Sequence, residues 1–73
     1  MKTFAQFYQR SPVSGALQEA CGDRSLIILD GRQSLAMWRA IAAEECERRK
    51  YVGYRIMCGT ILKPSPVSDL YLL

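Results

Sequence analysis

A single helical stretch constrains this sequence more than any other feature. Ser34 is a residue type that caps helices, because its hydroxyl accepts a hydrogen bond from a backbone N–H that the first turn leaves unpaired. Behind it, roughly Leu35 to Lys50, come alanines, a leucine, a methionine and glutamates, all good helix formers. Leu35, Trp38, Ile41, Ala42 and Cys46 recur at helical spacing along one side, and Met37 widens the stripe. Glu44, Glu45 and Glu47 precede Arg48, Arg49 and Lys50, so the cations meet the carbonyl end of the helix dipole. The spacing predicts i,i+4 ion pairs Glu44–Arg48 and Glu45–Arg49. Gly53 is the expected terminator.

Two short apolar runs flank this helix. Ser25 to Leu29, SLIIL, has the length and the isoleucines of a strand buried on both faces. Tyr54 to Leu62, YRIMCGTIL, alternates with apolar residues on both sides, and Gly59 marks a bulge or a close approach. Strand, short link, helix, short link and strand form a β-α-β unit, for which parallel strands and a right-handed crossover are expected. Asp30-Gly31 is read as the turn leaving the sheet. Two strands make a marginal sheet, so cover for the second face and the outer edges must come in part from the N-terminal helix and otherwise from the C-terminal arm, a second copy or another protein.

The ends are less regular. Residues 3 to 9, TFAQFYQ, admit a short helix opened by Thr3 with Gln6 in a capping box, or a strand. Alternation fits them poorly, which favours the helix. Ser11-Pro12 has the serine-cap, first-turn-proline pattern, and Val13, Ala16, Leu17, Ala20 and Cys21 then line one face of a helix over 11–22, ended by Gly22. The phrase SPVS returns at 65–68. The tail 63–73 is thus a short helix with Val67, Leu70, Tyr71 and Leu73 inward, or an extended arm. The expected architecture is a small single α+β domain over residues 1–73. An N-terminal segment (1–10) and helix (11–22) precede a strand (25–29), a long central helix (34–50), a strand (54–62) and the C-terminal arm. Its sheet has two or three strands.

Composition excludes more chemistry than it offers. The chain has 73 residues and no histidine, which removes the usual general base near neutral pH and the commonest transition-metal ligand. Cys21, Cys46 and Cys58 are an odd count with no C-x-x-C pair, a poor zinc set, and are read as small buried apolar residues. The glycines form no phosphate loop; Asp30-Gly31-Arg32 is a lone turn. The glutamates beside Cys46 would blunt its thiolate, and their paired cations explain them as a solvated face. No enzymatic activity, cofactor or metal is expected. No apolar stretch approaches the ~20 residues of a membrane span, and the N-terminus lacks the apolar core of a secretory signal. A cytoplasmic location with no membrane partner is the expectation.

Ten basic and seven acidic side chains leave a net charge of +3. From Arg48 to Arg55 the chain reads RRKYVGYR, four cations and no acid. Arg48, Arg49, Lys50 and Arg55 supply phosphate-binding charge, and Tyr51 and Tyr54 are placed to stack on unpaired bases. The plainer reading has the cations capping the helix and the tyrosines packing where it meets the strand. An aromatic–arginine cluster is equally what protein interfaces enrich. Together with the uncharged ending Leu70, Tyr71, Leu72 and Leu73, it points to a partner-binding surface, possible homodimerisation included. Trp38 belongs to the core or to that surface. The candidate site residues are Arg48, Arg49, Lys50, Tyr51, Tyr54, Arg55, Leu70, Tyr71 and Leu73.

In style the chain resembles the very short accessory proteins of bacterial phages and prophages. Glu47 to Leu62, ERRKYVGYRIMCGTIL, is similar to the end of some uncharacterised prophage-island proteins of enterobacteria. The resemblance implies a protein that binds and inhibits or modulates a host protein or a defence complex, CRISPR effectors included, or one that regulates phage genes. A non-catalytic protein-interaction module is the function expected; a small nucleic-acid-binding regulator using residues 48–55 is the alternative.

Overall fold

The first residues form a strand because both of their faces are buried. In the computed structural model, which describes residues 2–29, 31–60 and 62–73, β1 spans Lys2–Arg10. Ala5 and Phe7 point to one side and Phe4 and Tyr8 to the other, and all four are buried. A strand with buried apolar side chains on both faces shows no apolar–polar alternation, which is why the short helix favoured for residues 3–9 is wrong. β1 and its neighbour lie in the middle of a curled, half-barrel, antiparallel sheet of six strands. The expected α+β unit with an N-terminal helix and a two- or three-stranded sheet is thus corrected to a mostly sheet fold with one helix among the described residues.

On one side β1 pairs with β2 (Leu17–Glu19) and β3 (Leu26–Ile28), which together form one interrupted edge strand. Between them the chain leaves the ladder and returns. The Phe7 carbonyl accepts from the Ala20 N–H, and the Phe7 N–H donates to the Ser25 carbonyl, each at 2.9 Å. The carboxamide of Gln6 closes the gap, donating to the carbonyls of Ala20 (3.2 Å) and Ser25 (3.1 Å). On the other side β1 pairs with β4 (Gly53–Gly59), setting Phe7 opposite Tyr54 and Ala5 opposite Ile56. The outer edge of β4 carries a second interrupted strand, β5 (Pro64–Pro66) and β6 (Tyr71–Leu72). Both prolines of β5 sit where an edge strand tolerates a missing donor.

The helix expected over 11–22 does not form. Ser11 does cap, its hydroxyl accepting from the N–H groups of Val13 and Ser14. After one turn, however, Gly15 takes a left-handed conformation (φ 73°) and the chain reverses into β2. The ladder along β1 outweighs the apolar stripe, whose Val13 is left 95% exposed. The second SPVS also makes no helix: the Val67 N–H and the Ser68 hydroxyl bond the backbone of Ile56 instead, so the tail is extended and paired to the sheet as β5 and β6. The expected β-α-β pair is corrected too. β3 and β4 run in the same direction, since each is antiparallel to β1, but β1 lies between them and they do not pair. Asp30 and Ile61, assigned to the exit turn and the second strand, lie outside the described residues.

The helix α1 spans Leu35–Arg48, with the Ser34 hydroxyl accepting from the Met37 N–H at 3.2 Å. It ends without Gly53. Lys50 takes the left-handed conformation (φ 63°), the Tyr51 N–H donates to the Cys46 carbonyl and the Lys50 N–H to that of Glu47, a Schellman closure that usually uses glycine. The helix lays Ala42 and Cys46, both small and fully buried, on Ala5, Phe7, Tyr54 and Ile56, with Ala20 and Leu29 closing the core. Burying a side chain such as Phe7 or Ile56 contributes about 1.5–3 kcal/mol.

Candidate functional site

The segment Arg48 to Arg55 does not form one surface, because the helix end, its closing turn and β4 point its side chains in different directions. Arg48 is exposed and pairs with Glu45, not with Glu44. Arg49 turns inward: it reaches Glu45 at 3.4 Å, donates to the Arg24 carbonyl at 3.2 Å, and lies 5.6 Å from the centre of the Phe7 ring. The Arg48 hydrogen bond and both cations hold the Glu45 carboxyl below the usual range. Lys50 is exposed at the left-handed turn. Tyr51 stacks on Phe7 with ring centres 5.3 Å apart, and Tyr54 is 4% exposed beneath the helix. Neither stands free of the core to receive a base. Arg55 lies on the opposite side of the sheet, 5.8 Å from the Tyr8 ring centre.

The tail residues divide as well. Leu70 is half-buried, Leu73 is 61% exposed, and Tyr71 packs its ring 5.5 Å from that of Tyr54. The guanidinium carbon of Arg39 lies over the Tyr71 ring, 3.9 Å from its centre, a cation–π contact. Beside it runs an open groove of about 310 Å³, lined by Ala36, Arg39, Ala40, Ala43 and Tyr54. Trp38 is half-buried, and its indole N–H has no acceptor among the described residues.

The cysteines do not behave alike. Cys46 is fully buried, donates its thiol hydrogen to the Gly53 carbonyl at 3.3 Å, and has its pKa pushed up by burial. Cys58 is half-buried and Cys21 is exposed, against the expectation that all three are interior. Among the described residues no cluster of acids and cysteines is arranged to hold a metal ion, and no helix is long and apolar enough to cross a membrane.

A surface that the run of the sequence does not reveal is the sheet face away from the helix. Register places Phe4, Gln6 and Tyr8 of β1 on it with Leu26 and Ile28 of β3, Glu19 of β2, Arg55 and Met57 of β4, and Leu72 of β6. No helix packs there among the described residues. On this face Phe4 and Tyr8 are buried, whereas Ile28 on one edge strand is 40% and Leu72 on the other edge 56% exposed. Burial raises the pKa of the Tyr8 hydroxyl; Arg55 opposes the shift and Glu19 adds to it. Lys2 and Arg10 share this face with Arg55, so among the described residues three cations stand against one acid, Glu19. No protein-family model, no curated protein and no solved structure matches this chain.

Proposed function

We propose that the chain is a non-catalytic protein-binding module that docks its partner on the open face of the sheet. The observation that carries this reading is a sheet with a helix on one side only, whose other side shows Ile28 and Leu72 among Leu26 and Met57. Exposed apolar residues interspersed with charge mark interaction surfaces, and the cations Lys2, Arg10 and Arg55 select a partner that presents acidic side chains along with apolar ones. The likeness of Glu47 to Leu62 to prophage-island proteins extends the reading to a host protein or defence complex as that partner. The nucleic-acid alternative draws less support, since the aromatic rings it needs, Tyr51 and Tyr54, are stacked within the protein or buried.

The test is a comparison of two baits in a bacterial lysate, the native chain and the double variant Ile28→Asp/Leu72→Asp, after their melting temperatures are shown to agree. The proposal expects a protein held by the native bait, lost with the variant and still held at elevated salt. Identical captures with both baits overturn the assignment of the face. Retained nucleic acid that washes off steeply with salt overturns the class of partner.

A further inference from the structure

The helix carries a second surface, separate from the open sheet face. Ala36, Ala40 and Ala43 succeed one another at i, i+4 and i+7 along its outer flank, and the groove beside Tyr54 and Arg39 leaves that flank uncovered. Two unmatched charges border the alanines, one on each side. Arg39 is held in place by the Tyr71 ring but forms no ion pair among the described residues. Glu44 is exposed and also unpaired among them, because Arg48 turns to Glu45 instead.

From these positions we infer that a second copy of this chain docks here, helix against parallel helix, about a two-fold axis. With Ala36 and Ala43 at d and Ala40 at a of a heptad, Arg39 falls at g and Glu44 at the following e. In a parallel pair of helices, g of one meets e of the other five residues on. The symmetry therefore makes two Arg39–Glu44 pairs at once, each charge finding across the axis the partner it lacks within its own chain. An antiparallel pair sets like flanks together, Arg39 near Arg39 and Glu44 near Glu44, and is disfavoured. Alanine at the seam lets the helix axes approach to about 8 Å. The seam is short: Glu47 takes the next a position and faces its own copy, so the helices part after Ala43. Because the seam lies on the helix side of the sheet, both open faces stay free, and the dimer presents two docking surfaces.

Sedimentation velocity from micromolar to near-millimolar concentration tests this on the intact chain. A concentration-dependent dimer is expected. Arg39→Glu and Glu44→Arg should each weaken it about tenfold, since two symmetry-related attractions become repulsions. The double variant Arg39→Glu/Glu44→Arg should restore most of the affinity, and Glu47→Ala should tighten it. Glu44 is exposed and in no ion pair among the described residues, so Glu44→Arg remains decisive should Arg39→Glu lose stability with its Tyr71 contact. A native chain that stays monomeric throughout overturns the inference, as does a dimer indifferent to Glu44→Arg and to the double exchange. Either result leaves the reading of the open sheet face standing on its own test.

Discussion

The thiol of Cys46 donates to the carbonyl of Gly53 across 3.3 Å, tying the last turn of the helix to the first residue of β4. Burial keeps that thiol protonated above its ordinary range, and only the thiolate is a good nucleophile. Cys21 is exposed and Cys58 half-buried. With an aromatic disulfide reagent at neutral pH, the native protein should therefore release one equivalent fast, a second more slowly, and the third only on unfolding, with Cys46 as the last. Mass mapping that finds Cys46 modified as fast as Cys21 would contradict the helix-on-sheet packing.

Gly53 itself has no room for a side chain. A Cβ there would lie 2.8 Å from the Tyr71 carbonyl oxygen and 2.9 Å from a methyl of Leu72, so β6 would have to move. Gly53→Ala should cost about 1–3 kcal/mol, the range of an overpacked site, and should raise the exposure of Tyr71 along with it. A urea midpoint equal to that of the native chain would show that the tail does not pair with β4.

Lys50 presents the opposite case, a side chain where the backbone favours none. Its left-handed conformation closes the helix, and Lys50→Gly should stabilise the protein by about 0.5–1 kcal/mol, the relief of that strain less the added freedom of the unfolded chain. Thermal unfolding checks the sign. A lower melting temperature would mean that the lysine side chain holds the turn.

The helix and the outer segments show where the sequence was legible. Ser34 and the run behind it defined α1 because capping and helix propensity act locally. Ser11 and Ser65 carry the same signal, and there it misleads, because a cap begins a turn without deciding whether the next residues stay helical. Gly15 and the edge hydrogen bonds of β1 decide that at the first of them. β1 itself escaped notice because Phe4, Ala5, Phe7 and Tyr8 are all buried, which erases the period-2 pattern. The strands at 25–29 and 54–62 were visible as apolar runs, but their neighbour was not: nothing local says that β1 comes between them. For the same reason a candidate site drawn along the chain, 48 to 55, divides into a helix end, a core and two sheet faces. Arg39 and the open face, assembled from four strands and more, had no contiguous signature.

Alkaline pH should weaken the fold. Cys46 and Tyr8 are neutral when protonated, and both have pKa values raised above the ordinary 9.0 and 10.0. The folded state thus holds these protons to higher pH than the unfolded chain does. Their contribution is fully present below pH 9, and is lost as the pH rises through 9 and 10 toward the folded values. Urea midpoints should be level from neutral pH to about pH 8.5 and then fall; a midpoint that climbs above pH 9 would contradict the burial of both groups.

The central claim is that one face of the sheet is open to another molecule. Its most direct test is the attenuation of methyl resonances by a soluble paramagnetic probe in a dilute, methyl-labelled sample. The structure predicts strong attenuation for Ile28 and Leu72, 40% and 56% exposed, and protection of Ile56 and Leu29, 0% and 5% exposed. If Ile28 and Leu72 are as protected as Ile56, the face is already covered, and the account of the open sheet is contradicted.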